Sequence, residues 1–174
     1  IFEQGVKASN STFANKLLQH FSDKELYGKS IKDKRGGQNN IHSWDIGLKG
    51  EISAEDRQLL NKILTERRKH QWAEQYGIDW MDGMPLTVEM ISSFYKGKDL
   101  PELLESLVNK GYIVYEHPKK KVVVNGVSHR EYDTTLPKGY NIVSGKLSFE
   151  INKILDPKEV APTLVAMDMQ KLYV

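Results

Sequence analysis

Residues 99–132 read DLPELLESLVNKGYIVYEHPKKKVVVNGVSHREY, and this stretch decides most of the fold. Its first part has Leu103, Leu104 and Leu107 on one helical face, so the spacing predicts a helix over residues 100–109. Asp99 would cap that helix, and Gly111 sits just past its end. The apolar period then changes to that of strands, at 112–115, 121–124 and 127–132. Asn125-Gly126 between the last two is typical of a tight hairpin turn.

A second short helix is predicted just before this stretch. Thr87 can cap a helix that carries Val88, Ile91 and Phe94, with Gly97 beyond it. Two short helices followed by a strand and a basic hairpin is the element order of a winged helix-turn-helix. In such a module the helix over 100–109 would be offered to a major groove, and the hairpin would lie along the phosphates.

Charges on the two elements differ. The solvent face of the predicted helix carries Glu102 and Glu105, which would repel a phosphate backbone. The hairpin carries Lys119, Lys120, Lys121, His129 and Arg130. These charges favour an arrangement in which only the hairpin touches DNA. Winged helices also serve as protein-protein scaffolds, so an interaction module with no DNA role stays open as the alternative.

The N-terminal half is predicted to be helical. Ser11 precedes an apolar stripe that predicts a helix over 12–22, and Ser53 with Asp56 forms a capping arrangement for a longer helix that Gly77 would end. The second half of that helix carries Arg67, Arg68, Lys69 and His70 in succession, which is usually a solvated face. Between the two helices, residues 29–40 form a basic, Gly-rich loop without apolar periodicity.

The fold class predicted from these patterns is α+β. A helical N-terminal half precedes a winged helix-turn-helix-like unit and small antiparallel β hairpins. The expected segments are a helical one with the basic Gly-rich loop at 1–82, the winged-helix-like unit at 83–135, and a β-rich end at 136–174.

Composition excludes several classes of protein. The chain has 174 residues, of which 39% are hydrophobic and 28% charged, with a formal net charge of +2. No apolar run is long enough to cross a bilayer, and residues after Ile1 lack the pattern of a signal peptide, so we expect a cytoplasmic protein. Because the sequence begins at Ile1 rather than Met, we also expect a piece of a longer one.

The sequence lacks the residues that several kinds of site require. With no cysteine there is no disulfide, thiolate metal site or cysteine nucleophile. No Gly-rich dinucleotide fingerprint is present, and the five histidines lack metal-ligand spacing, so neither a cofactor nor a metal is expected. Glu116 and Lys119 have the residue types of a fragment of a nuclease site, although no Asp partner can be identified, and a metal-dependent nuclease is the third hypothesis.

The C-terminal stretch carries a family resemblance. Residues 146–150 (KLSFE), 154–157 (ILDP) and above all 161–166 (APTLVA) resemble the closing part of target recognition domains in bacterial cytosine-5 DNA methyltransferases. Residues 40–46 (NIHSWDI) and 77–85 (GIDWMDGMP) look like the variable region of a subset of these enzymes. In that family a Thr-Leu pair marks the recognition domain, and Thr163-Leu164 matches it.

The resemblance implies a DNA-binding segment of a restriction-modification methyltransferase in the bacterial cytoplasm. The family attacks cytosine with a Pro-Cys dipeptide and binds S-adenosylmethionine through a glycine-containing loop, and this chain has neither. It implies that double-stranded DNA and the catalytic domain of the same parent chain are the partners. The parent would flip the target cytosine, and this segment would read neighbouring bases and hold the opened duplex.

Candidate DNA-contacting residues follow from the resemblance and from side-chain chemistry. By the resemblance, Thr163 would contact a phosphate, and Leu164 of the same DNA-binding pair would pack into the domain. In the major groove, Arg can form hydrogen bonds with guanine, and Asn or Gln with adenine. The predicted base-reading residues are therefore Arg35, Gln38, Asn39 and Asn40. Ser144, Lys146 and Ser148 flank the matched string. The phosphate-neutralising candidates are Arg67, Arg68, Lys69, Lys119, Lys120, Lys121 and Arg130.

Overall fold

A computed structural model describes residues 12–33, 36–37, 39–78, 83–97, 99–143, 153–155 and 171–173, with the backbone alone at 12–14, 23, 153–155 and 171–173. These residues belong to two compact units, one formed by residues 53–143 and the other by parts of 1–52 and 144–174. Helices and strands are mixed in both, which confirms the predicted α+β class.

The unit of residues 53–143 contains four helices and four strands among its described residues. The helices are α3 (Ala54–Glu66), α4 (His70–Glu74), α5 (Val88–Phe94) and α6 (Leu100–Lys110), and the strands are β3 (Ile113–Glu116), β4 (Lys119–Val124), β5 (Val127–Tyr132) and β6 (Gly139–Ile142). β3 pairs antiparallel with β6, and β4 pairs antiparallel with β5 as a separate hairpin.

Leucine and isoleucine side chains from the helices fill the core of this unit. Leu59, Leu60 and Ile63 of α3 are fully buried, as are Leu104 and Leu107 of α6. Both helices therefore turn the predicted apolar stripes inward. Tyr112 and Ile113 carry this core from the end of α6 into the strand β3.

Local capping chemistry matches most of the predicted helix ends. The Ser53 hydroxyl accepts from the Asp56 N–H and the Asp56 carboxylate accepts from the Ser53 N–H, which starts α3. Thr87 caps α5 with one bond, since its hydroxyl accepts from the Met90 N–H at 3.3 Å. Gly111 adopts the left-handed conformation expected after α6. Asp99 differs, because it takes a left-handed φ of 56° and its side chain makes no cap hydrogen bond.

The long helix predicted to run to Gly77 is broken, and that prediction was wrong. α3 ends at Glu66, and α4 begins only at His70. In a continuous helix the Arg67 carbonyl would accept the N–H of residue 71. Here it accepts the N–H of Met84 at 2.7 Å, so a chain segment far along the sequence takes the place of the next turn. Arg67–Lys69 therefore form a turn instead of a helical face.

The unit formed by parts of 1–52 and 144–174 contains the remaining described elements. They are α1 (Thr12–His20), α2 (Asp23–Leu26), β1 (Ser30–Ile31), β2 (Asn40–Ile41), a 3₁₀ turn (Ser43–Ile46), β7 (Lys153–Leu155) and β8 (Lys171–Tyr173). Its sheet has the order β2-β1-β7-β8, with β1–β2 and β7–β8 parallel and β1–β7 antiparallel. Leu17, Leu26, Ile31, Ile41 and Ile46 form its core.

The helix predicted over 12–22 ends two residues early. Ser22 is the reason, since its N–H and its hydroxyl both donate to the Glu25 carboxylate, at 2.8 and 2.9 Å. This is N-capping geometry, so the chain leaves α1 and starts α2.

Gly139 permits the closest backbone approach in the second unit. A Cβ there would stand 2.7 Å from backbone atoms of Pro85 and Leu86. The approach is needed because Leu86 and Tyr140 exchange two backbone hydrogen bonds, at 3.0 and 2.7 Å. The segment before α5 is thereby joined to β6.

We predict that Gly139→Ala destabilises the protein by about 1–3 kcal/mol, because backbone atoms cannot move away from the new methyl group without losing the Leu86–Tyr140 pair. Urea unfolding followed by circular dichroism measures the change. A loss below about 0.5 kcal/mol, the range of ordinary surface substitutions, would contradict this account of the glycine.

Candidate nucleic-acid interface

The β4–β5 hairpin is the most exposed element of the unit that contains it. Every residue of β5 is exposed, and in β4 only Val122 is half-buried. The predicted Asn125-Gly126 turn is confirmed, with φ angles of 51° and 76°. Val123, Val124 and Val127 beside the turn are 62%, 50% and 66% exposed. The hairpin therefore offers both of its faces to solvent.

A chain of polar contacts joins the base of the hairpin to α3. The Arg67 Nη1 donates to the Asn141 Oδ1 at 3.1 Å, and the Asn141 Nδ2 donates to the Glu116 Oε1 at 3.1 Å. The Tyr132 hydroxyl donates to the other oxygen of Glu116 at 2.9 Å. We call these four residues the anchoring network. It links the last residue of β5 to the turn after α3.

The anchoring network also holds a cation inside the protein. Arg67 is only 4% exposed, and a buried guanidinium is costly unless its donors are satisfied. The Asn141 amide is suited to the middle of the chain, since it accepts from Arg67 and donates to Glu116. The bond to Glu116, followed by the charge of its carboxylate and by burial, raises the pKa of the Tyr132 phenol. Tyr132 is therefore a neutral donor at physiological pH.

Glu116 was also the possible nuclease residue. Its two carboxylate oxygens accept from Asn141 and Tyr132, which makes it a structural acceptor in this fold. No cluster of three metal-binding side chains occurs among the described residues.

Lysines lie over tyrosine rings at two places near the anchoring network. The Lys119 Nζ is 4.9 Å from the ring centroid of Tyr132, and the Lys138 Nζ is 5.7 Å from that of Tyr115. Tyr115 also packs on Tyr140, with ring centroids 4.9 Å apart. Both lysines are exposed, so the contacts position the side chains while leaving the ammonium groups in solvent. No pattern in the sequence had indicated a role for Lys138, Tyr115 or Tyr132.

The basic run after α3 is divided by the fold. Arg67 turns inward to the anchoring network, whereas Arg68, Lys69 and His70 are exposed. Lys69 forms an ion pair with Glu66. Arg67 thus has a structural role that its place in a charged run did not suggest. No sequence signal could have shown it, because its partner Asn141 is 74 residues away.

Two of the four predicted base-reading residues are described. Asn39 is exposed, and its carbonyl accepts from the Ser30 N–H at 2.8 Å. Asn40 is half-buried, and its side-chain amide donates to the Gly36 carbonyl at 2.8 Å. Asn40 therefore closes the Gly-rich loop on itself, while Asn39 lies on the loop's surface.

The buried carboxylate of Asp33 also holds this loop in place. Asp33 is 1% exposed and accepts from the N–H and the hydroxyl of Ser43, at 2.7 and 2.6 Å. Burial raises the pKa of Asp33, while the Ser43 hydrogen bonds and the charges of His42 and Lys49 act in the opposite direction. The loop is thereby tied to the 3₁₀ turn.

The remaining predicted site residues lie outside the described residues. They are Arg35, Gln38, Ser144, Lys146, Ser148, Thr163 and Leu164, together with most of the β-rich end. Within the described residues, no helix is long and apolar enough to cross a membrane.

Comparison with known proteins identifies the relatives of this chain as methyltransferases. More particularly, they are Type II methyltransferases. The chain is 63% identical over all 174 residues to M.NlaIV of Neisseria lactamica and 61% identical over the same length to M.NgoBV of Neisseria gonorrhoeae. It is 37% identical over 167 residues to M.HgiCI of Herpetosiphon aurantiacus. The predicted kinship with methyltransferases is confirmed.

The match concerns a part of each relative. The chain spans 40% of the length of M.NlaIV and of M.NgoBV, and 33% of M.HgiCI. No family model matches the chain, and no solved structure matches it.

We predict that Asn141→Ala lowers the free energy of unfolding by about 1–3 kcal/mol, because it removes three side-chain hydrogen bonds, those with Arg67, Glu116 and the Ile142 N–H. Asn109→Ala is the matched control. Asn109 is exposed on α6, so its truncation should change stability by less than about 0.5 kcal/mol. Urea titrations of both variants give the comparison, and equal losses would argue against the anchoring network.

Proposed function

We propose that this chain is the target recognition segment of a cytosine-5 DNA methyltransferase in a restriction-modification system, and that it binds double-stranded DNA. The homology to Type II methyltransferases over the whole chain is the observation that carries the proposal. The exposed basic hairpin supports a DNA contact, and we propose that it acts as the wing of a winged-helix-like unit.

The chain's own residues supply binding and not methyl transfer. Without cysteine it lacks the nucleophile that attacks cytosine in this family. The catalytic domain of the same parent chain would supply that nucleophile and bind S-adenosylmethionine. It would also form the opposite wall of the DNA cleft. The place of action would be the bacterial cytoplasm.

Roles within the segment follow from exposure and chemistry. Lys119, Lys121 and Arg130 of the hairpin, with Arg68 and Lys69, would neutralise phosphates, which position the protein without reading sequence. Asn39, together with Arg35 and Gln38 of the same loop, would read base edges. Asn40 would support that loop through its bond to Gly36. Thr163 would contact a phosphate, as the family resemblance implies.

One observation favours a second candidate function, a protein-interaction module without a DNA role. The valines beside the hairpin turn, Val123, Val124 and Val127, are exposed together. Apolar side chains grouped at the tip of an arm suit a protein contact. The two candidates differ in their response to salt.

We predict weak DNA binding by the isolated chain, with Kd about 10⁻⁴ to 10⁻⁶ M at physiological salt, because the opposite wall of the cleft is missing. Fluorescence anisotropy with a 30-base-pair duplex, at about 50 to 200 mM salt, gives the slope of log affinity against log salt. Each neutralised phosphate should contribute about −0.9 to that slope.

Replacing Lys119, Lys120 and Lys121 together by Ala should weaken binding equally for duplexes of unrelated sequence, because phosphate contacts carry no sequence information. Lys24→Ala, an exposed lysine outside the predicted set, is the control. A wild-type slope near zero would reject the DNA-binding function and leave the interaction module.

A further inference from the structure

The register of the β4–β5 hairpin sorts its charged side chains onto two faces. Side chains alternate between faces along a strand, and directly opposite residues share a face. Lys119 pairs with Tyr132, and Lys121 pairs with Arg130, so these four lie on one side, which we call the basic face. The other side, which we call the paired face, carries Lys120 opposite Glu131 and Val122 opposite His129.

Charges on the paired face are balanced within the protein. The Lys120 Nζ is 3.9 Å from the Asp133 Oδ1, and the His129 Nε2 is 2.7 Å from the Glu131 Oε1. Hydrogen bonds from Thr135, and then the charge of Lys120, lower the pKa of Asp133, so this carboxylate is ionised at neutral pH. Asp133 and Glu131 are therefore directed to this side.

The two lysines of the basic face form no ion pair with a carboxylate among the described residues. The Lys119 ammonium lies over the Tyr132 ring, and Lys121 makes no ion pair within the part of the chain that the structure describes. Arg130 is directly opposite Lys121, and like charges in cross-strand positions repel each other. The carboxylate at the base of this face, Glu116, has its oxygens occupied by Tyr132 and Asn141.

The geometry of the basic face suits a polyanion. Lys119 and Lys121 are two residues apart, so their side chains leave the strand about 6.6 Å apart on the same side. All four residues of the face are exposed. A phosphate near Lys121 would meet an exposed ammonium group, and the net charge of the chain, only +2, makes such local sorting decisive for attraction.

We propose that the hairpin meets the DNA backbone with its basic face alone, through Lys119, Lys121 and Arg130, and that Lys120 is directed away from the phosphates. This inference rests on the proposed DNA-binding function and deepens it. It assigns different roles to three consecutive lysines that the sequence presents as equivalent.

The test compares single variants of adjacent lysines. Lys121→Ala should reduce the magnitude of the salt slope by about 0.9 and weaken binding by about eightfold at about 0.1 M salt, as expected for the loss of one phosphate contact. Lys119→Ala should act in the same direction. Lys120→Ala is the matched control and should leave the slope unchanged to within about 0.2, since its ammonium contacts no phosphate.

Two further measurements sharpen the result. Lys121→Arg keeps the positive charge, so it should retain the wild-type slope. The loss in Lys121→Ala should be the same for two duplexes of unrelated sequence, because the contact is to phosphate. Circular dichroism of each variant confirms that the fold is retained.

The outcomes separate the two proposals. A slope near zero for the wild-type chain would reject the DNA-binding function, and the inference with it. If the wild type binds with a clear slope and Lys120→Ala loses as much as Lys121→Ala, the assignment of faces is wrong while DNA binding stands. A loss confined to Lys119 and Lys121 supports the inference.

Discussion

The buried guanidinium of Arg67 is the constraint on which the unit of residues 53–143 depends. The Arg67 backbone carbonyl accepts from the Met84 N–H where α3 ends, and the guanidinium donates to Asn141. A buried cation has few acceptable arrangements, because each lost partner leaves charge in a poorly solvated site. Arg67 therefore fixes the turn after α3 and the segment before α5 through its backbone carbonyl, and the strand β6 through its side chain.

The hairpin inherits its position from this arrangement. A two-stranded hairpin is marginally stable by itself, and β4–β5 forms no backbone pairs with β3 or β6 among the described strands. Glu116 and Tyr132 attach it to Asn141, and thus to Arg67. An exposed arm held at its base by a polar chain that ends at the buried Arg67 can present charge to a large partner without a change in the core. This division of labour suits a segment that binds while chemistry proceeds elsewhere.

The basic residues of the chain thus have several physical roles. Arg67 is structural, Lys69 is paired with Glu66, Lys120 is close to Asp133, and Lys121 is exposed on the basic face. A count of lysines and arginines combines these roles, which explains why a net charge of +2 says little about binding. The placement of the charges carries more information about binding. That placement is set by the strand register and by the nearby carboxylates.

The sequence by itself determined the features that depend on near neighbours. The apolar stripes of α3 and α6, the Ser53–Asp56 and Thr87 caps, Gly111 and the Asn125-Gly126 turn all arise from interactions within a few residues, and short-range patterns predict them. The similarity to methyltransferases was also predicted from the sequence.

Only the tertiary structure decided the break at Arg67, the pairing of β3 with β6, and the anchoring network. These depend on contacts across 16 to 74 residues, from Tyr132 with Glu116 to Arg67 with Asn141. Local propensity contains no information about such partners, since the free energy that selects them is gained only when distant segments are buried together.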